Sequence, residues 1–532
     1  IEPPYMTNQI PYGLSMEGRE LYVPALSLNV YKQTIGWDKF PTIKPIDYLP
    51  ENITVLSDLH LTLPETISSD YKPNVSVIHD TKGTYYYWQY GSLTVNGAGT
   101  LSMSNFNMVW DPNYQYERND GQQNYCSLLN NSHLRSDNVA IEMYTKNDRW
   151  AFISFPFNVK VSDIETISDG TTNWVIRKYD GQKRASGETR ETWVRMTNDD
   201  VLNAGEGYII QGSRYIGDSW QSYSGFLFKA INDAKKNNIF IITDATVSLN
   251  EYASEFAHNR SWNLIGNPYP SYYDTRFMDF NAPITVWNMV NNTYTAYNPQ
   301  DDSYILCPGE AFFVQRPVDK GNVVFSKEGR QTNRQVRTLE EPSRAKVNSQ
   351  NVSKRVIANI TISDGENTDR TRVVLNDNAL LDYEMDKDAT KFMSSDLSVP
   401  QIYTTINGVN YAINERPEFD GIINLNIYVG KAGIYGISMP GEIEGYTVTL
   451  EDKVEGKSIV LNAGDVYNFS AKAGNSVGRF ILHFTSETTG INDIKTTTIQ
   501  NYPAYSIDGV KVNNPTQNGI YIQNGKKVMY HK

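Results

Sequence analysis

The six histidines stand at positions 60, 79, 133, 258, 483 and 531, too scattered for a His-Glu-x-x-His helix or a comparable zinc pair. Cys126 and Cys307 can form at most one disulfide and cannot build a cysteine-rich metal site. A serine-hydrolase elbow occurs literally at Gly474-Asn-Ser476-Val-Gly478. That chemistry needs a strained strand-to-helix turn, with an acid and then a histidine following. Here Arg479 to Phe484 reads as a strand that contains His483, so the motif reads as a hairpin turn. Gly97-Ala-Gly99 lacks the third glycine and the helix of a dinucleotide site, and no P-loop occurs.

Glycosidic cleavage would need two carboxyls roughly 5–10 Å apart. Asp111, Asp199-Asp200 and Asp301-Asp302 are the candidates. Adjacent residues of a strand point to opposite faces, so each doublet reads as a solvated turn rather than a dyad. The loops Asp364 to Asp369 and Asp382 to Asp388 could hold structural calcium, but neither has EF-hand spacing, and both read as solvated turns. No catalytic or metal-ligating residue is assigned, and no cofactor beyond such calcium is expected.

Carbohydrate binding is the sharper reading. Sugars stack their CH faces on exposed Trp and Tyr, with Asp, Asn and Gln fixing the hydroxyls. The densest cluster is Tyr85-Tyr-Tyr87-Trp88-Gln-Tyr90, followed by Trp110-Asp-Pro-Asn-Tyr114-Gln-Tyr116. In a strand Tyr85 and Tyr87 share one face while Trp88 and Tyr90 share the other, so one face packs inward and the other can form a platform. Packing between domains is the commoner use of such a cluster. Trp220 and Tyr223, in a polar excursion, form a second candidate.

The elements that carry these residues are strands. The chain has 532 residues, enough for three or four domains, with 39% hydrophobic and 20% charged residues. Its formal charge of −12 argues against a nucleic-acid partner, and no apolar run approaches the roughly 18 residues of a membrane helix. Runs such as Asn238 to Thr243, Arg372 to Leu375, Gly445 to Leu450 and Arg479 to Phe484 are short, β-branched or aromatic, and bounded by turn residues. Helical periodicity is confined to brief stretches at Ala379-Leu380-Leu381 and around Asp388 to Phe392. The expected class is all-β.

Residues 1–148 form an N-terminal β region, either a short β-solenoid or a meander. Residues 149–327 carry an internal duplication. Trp150-Ala-Phe-Ile-Ser-Phe-Pro156 and Gly205-Glu206-Gly-Tyr208 match Trp262-Asn-Leu-Ile-Gly-Asn-Pro268 and Gly309-Glu310-Ala-Phe312. Each copy reads as strand, proline stop, excursion, Trp/Tyr strand, Gly-Glu turn and closing strand. Two such halves facing each other make one sandwich with a pair of Trp anchors in its core. Residues 328–354 read as a linker, 355–485 as a second β-sandwich, and 486–532 as a tether and small β tail with Asp-Gly and Asn-Gly hairpin turns.

The tail, Tyr505…Asp508-Gly509…Val512…Gly519-Ile-Tyr-Ile522…Asn524-Gly-Lys-Lys-Val528, resembles the C-terminal sorting domain of bacterial type IX secretion cargo. Trp262-Asn-Leu-Ile-Gly-Asn-Pro-Tyr-Pro270, Pro308 to Gln315 and Trp150 to Phe157 are similar to repeats of large secreted surface proteins that bear that tail. The resemblance implies export to the cell surface or medium and brings no catalytic residues. The chain starts at Ile1 without a charged-then-apolar leader, which fits the expectation of a mature or trimmed exported chain. The function expected is therefore a secreted or outer-surface, adhesin-like binding protein without catalytic activity, its partner a glycan or a host or cell-surface protein. The alternatives are a secreted glycan-active enzyme using carboxylates of the N-terminal region and a purely structural surface subunit.

Overall fold

The computed structural model describes the chain almost continuously over 134–331 and 355–486, with short gaps, and elsewhere only isolated elements within 20–117 and 504–530. The described residues are nearly all strand, with one- or two-turn helices between. The all-β class follows from the sequence's short β-branched and aromatic runs.

The N-terminal strands pair in parallel. Asn52–Val55 and Leu59–Thr62 both lie along the long strand Ser92–Ser104, which in turn lies along Leu134–Lys146. Ile53, Leu93 and Leu134 stand side by side, 40 and 41 residues apart in the chain. Parallel neighbours need a long crossover, so these strands are not joined by hairpins as in a meander. Two hairpins, Val77–His79 with Tyr85–Tyr87 and Trp110–Asp111 with Tyr116–Glu117, fall in successive crossovers. The stack continues through an antiparallel partner, Tyr223–Lys229, which buries Phe226 and Phe228 beneath it.

The duplicated motifs fold into two sheets that share one four-strand topology, the first extended by a fifth strand, Ser219–Trp220. In the first, Ala151–Ser154 pairs with Gly207–Ile216, then Thr171–Tyr179, then Trp193–Arg195. In the second, Trp262–Gly266 pairs with Ala311–Gln315, then Ile284–Asn288, then Thr293–Tyr297. Gly205 and Gly309 take left-handed backbone, φ 77° and 72°, at the equivalent turns. The halves then clasp each other reciprocally. Ile153 bridges Glu310 while Ile265 bridges Glu206. The Ser154 N–H donates to the Gly309 carbonyl at 2.9 Å, and the Gly266 N–H donates to the Gly205 carbonyl at 3.0 Å. A local pseudo-twofold axis therefore relates the two copies.

The Trp anchors do not share one fate. Trp262 is 2% exposed, as expected of a core residue, whereas Trp150 is only partly buried and borders a cleft. The reason lies 130 residues along the chain from Trp262, where Phe392 covers one of the two sites and not the other.

From residue 355 a single sheet of eleven strands curls on itself. Arg479 and Asp452 form a buried ion pair at 2.7 Å in one part of the sheet. Tyr467 and Ser470, on the strand at its far end, reach that same pair. The short helical stretches expected at 379–381 and 388–392 are turns and a two-residue strand, Ala389–Thr390. Acidic side chains capture the backbone there: the Leu380 N–H donates to Glu384 and the Glu384 N–H to Asp388. Ser476 likewise lies within the strand Gly474–Ser486, opposite Ile427, and not in a hairpin turn. A register shift near Ile427 absorbs the glycines of the motif.

Of the expected linker, 328–331 forms a 3-10 turn and a short strand against Tyr272 and Tyr273, and most of the remainder lies outside the described residues. The tail belongs to a separate compact unit, residues 445–447 with 485–532. Within it Ala504–Ser506, Lys511–Val512, Gly519–Gln523 and Lys526–Tyr530 form one antiparallel sheet.

Candidate functional site

The sequence-derived aromatic residues are spread over two regions. Tyr85 and Tyr87 lie on one crossover hairpin and Trp110 on the next, their side chains outside the described residues. Trp88, Tyr90 and Cys126 also lie outside them. Trp220 sits on the hairpin Gly207–Ile216 to Ser219–Trp220, opposite Tyr215. It is 67% exposed, with its ring edge-on to Tyr215 at 5.5 Å. Asp218 and Ser219 beside it are exposed. Tyr223 stands on the next strand, half-buried opposite Lys146, and burial raises the pKa of its phenol.

A second aromatic site went unassigned in the sequence. Trp150, Phe152, Arg177, Trp193, Ile209, Trp287 and Tyr294 line a cleft of about 220 Å³, walled on its outer side by Met393 and Ser395. The two sheets supply the aromatic floor. Phe152 stacks on Trp287 at 5.8 Å and meets Trp193 edge-on at 5.8 Å. The Trp287 indole N–H donates to the Trp150 carbonyl at 2.7 Å, tying one half to the other. The Arg177 guanidinium lies 5.0 Å from the Trp150 ring centroid, a cation–π contact, and its Nε has no hydrogen-bond partner. Burial pushes up the pKa of the Tyr294 phenol, so it stays protonated and neutral. The repeated Trp was the only trace of this cleft in the sequence, and it pointed equally to core.

The carboxylates are committed elsewhere. Asp200 accepts from the Thr197 N–H at 2.7 Å and hydroxyl at 2.9 Å, and those bonds hold its pKa low. Asp301 and Asp302 do sit in a turn, closed by their N–H groups on the Asn298 carbonyl, but their side chains are not merely solvated. They pair with Arg355, Arg370 and Arg372 of the eleven-stranded sheet and join it to the duplicated domain. Asp364 does close a turn, accepting from the Glu366 and Asn367 N–H groups. Asp369, in contrast, is buried against Lys391 at 2.6 Å, with the Ile402 N–H donating to it as well. Asp388 is buried, and desolvation pushes its carboxyl up to about 8 although the Glu384 and Glu415 N–H groups both donate to it. Glu415 is held in turn by Arg355 and Asn376.

His483 bonds Glu451 at 2.8 Å on the surface of the sheet. Among the described residues no group of three or more His, Cys, Asp or Glu could hold a metal ion, and no helix is long and apolar enough to cross a membrane. Cys307 is buried, its N–H donating to Glu310 at 2.7 Å.

A family model described as a domain of unknown function, DUF8693, matches residues 272–484. The matched stretch takes in Asp301, Asp302 and the three arginines that pair with them. No curated protein and no solved structure matches the chain.

Proposed function

We propose that the chain is an exported binding protein of the bacterial surface that recognises glycans through exposed aromatic side chains and catalyses no reaction. The observation that carries the reading is Trp220, a large ring left 67% exposed on a hairpin and propped edge-on by Tyr215, with Asp218 and Ser219 beside it. An exposed indole face with polar residues next to it in the chain is chemistry that can take a pyranose ring. Burying an exposed indole under a ligand recovers apolar area that folding left in water. The resemblance of residues 505–528 to a sorting tail supports export. Asp200, Asp301, Asp302, Asp369 and Asp388 are engaged in structural bonds, which leaves the carboxylates of the N-terminal region as those the enzyme alternative would use.

Glycan-array binding by the full chain, compared with Trp220→Ala and Tyr223→Ala, tests the reading. Binding that weakens with Trp220→Ala supports it. An array without hits, or hits indifferent to both changes, rejects it. Release of sugar from any arrayed polysaccharide would restore the enzyme alternative.

A further inference from the structure

The ladders of the duplicated domain align its halves residue by residue. Ile176 lies opposite Ile210, and Ile284 opposite Val314. Three places on from Ile176 and Ile284, Tyr179 lies opposite Trp193 and Trp287 opposite Tyr294. The bridges of Glu206 and Glu310 fix Ile209 as the counterpart of Phe313. Trp150, Trp193 and Ile209 of the first half therefore correspond to Trp262, Tyr294 and Phe313 of the second.

In the second half those three residues hold a ring. Phe392 lies 4.8 Å from Trp262, 5.5 Å from Tyr294 and 4.9 Å from Phe313, and the Arg184 guanidinium covers it at 4.3 Å. In the first half the corresponding three line the 220 Å³ cleft, with Arg177 as the neighbouring cation. The cleft is thus the place of a second Phe392, which none of the described residues supplies. The segment that fills one side goes on to wall the other, through Met393 and Ser395.

We infer that the Trp150 cleft binds an aromatic side chain presented by an extended segment of a partner protein, in the pose that Phe392 takes against Trp262. An apolar cavity of about 150 Å³ accepts benzene, so the volume suits a single substituted ring. The chemistry excludes a sugar as the better occupant. Among the described residues no carboxylate or carboxamide lines the cleft, so a buried pyranose would leave most of its hydroxyls without partners there. Aromatic rings instead match the edge and face contacts that already build the floor. Phe392 itself is delivered by the strand Ala389–Thr390 and by the Lys391 N–H, which donates to the Asn410 carbonyl at 2.8 Å, so an extended backbone is the presentation the geometry favours. This site is separate from Trp220 and does not depend on glycan recognition there.

The test uses the full chain and a peptide with the sequence of residues 388–396, Asp-Ala-Thr-Lys-Phe-Met-Ser-Ser-Asp, beside the same peptide with its phenylalanine replaced by alanine. Calorimetry and saturation-transfer NMR read the binding. The expected result is binding of the Phe peptide, weakened about tenfold or more by its Phe→Ala change and by Trp150→Ala in the protein. Ser395→Trp, at an exposed wall position where the fold is not at stake, fills the cleft and should abolish binding. Trp220→Ala should leave it unchanged. Equal binding of the two peptides, binding that survives Ser395→Trp, absence of binding at millimolar peptide, or displacement by methyl glucoside would each overturn the inference.

Discussion

Ser154 and Gly266 occupy the same position in the two copies of the duplicated motif and face each other across the axis that relates them. A methyl group on Gly266 would lie 1.9 Å from both Cβ and Oγ of Ser154. One side chain fits at this crossing, and the first half supplies it. Gly266→Ala should cost about 3 kcal/mol by overpacking. The exchange Ser154→Gly with Gly266→Ser should recover most of that loss, because it moves the side chain to the other side of a symmetric contact. Thermal unfolding of the two variants and the exchange reads the comparison.

The Lys391–Asp369 pair is buried on both sides, with side chains 1% exposed. Removing one partner strands a charge away from water. Lys391→Ala should destabilise the chain by roughly 3–5 kcal/mol. Pairing Lys391→Met with Asp369→Asn should be milder, since no buried charge then remains and the amide oxygen can still accept from the Ile402 N–H. Chemical denaturation of the single and double variants gives the coupling.

Asp301 and Asp302 join two sheets through three arginines, Arg355 and Arg370 partly buried and Arg372 fully so. Replacing both aspartates by asparagine should loosen the junction more than the fold. Hydrogen exchange is expected to rise first at residues 298–302 and 355–372, while protection in the strand Ala311–Gln315 persists. Salt should narrow the difference between variant and parent, because the affected contacts are ionic.

Trp220→Ala should shift thermal stability by no more than about 0.5 kcal/mol, as expected of an exposed position, while removing glycan binding. Trp262→Ala should instead cost about 3–5 kcal/mol, because it empties a filled aromatic core. The contrast separates a side chain kept for contact from one kept for folding, and differential scanning calorimetry measures both.

His258 packs between Phe256 and Tyr383, and burial, with Arg184 nearby, holds its pKa below the usual histidine value. The unfolded chain then binds a proton that the folded chain refuses. The His258 contribution to stability should fall as pH drops from about 6.5 toward the lowered folded value, while Asp388, its carboxyl raised to about 8 in the fold, contributes the opposite slope. His258→Gln should flatten that acid limb, as read from midpoints of unfolding between pH 5 and 8.

The all-β class was legible because strands announce themselves locally, through β-branched and aromatic runs cut by Gly, Pro and Asn. The duplication was legible because Trp, Pro and the Gly-Glu turn recur in order. The parallel pairing of Ser92–Ser104 was less so: a crossover of some forty residues leaves no local mark. The acidic loops are turns, as read, but the burial of Asp369 and Asp388 at their ends was hidden for a related reason. Nothing beside Asp369 or Asp388 in the sequence shows that Lys391 or the Glu415 N–H will meet them inside the sheet. Trp220 was legible as a candidate, since an indole in a polar turn has little else to pack on. The Trp150 cleft was hidden, because whether a repeated Trp is core or surface was decided by Phe392, in another domain.

The clasp between the copies gives the molecule an internal control. A change made at a position in one half can be repeated at its counterpart in the other, within the same polypeptide and the same solvent. Whatever differs between the two outcomes reports what covers each site, not what the residue intrinsically prefers. A single protein thus carries a matched experiment on occlusion, in which one arm is covered by Phe392 and the other opens on a cleft.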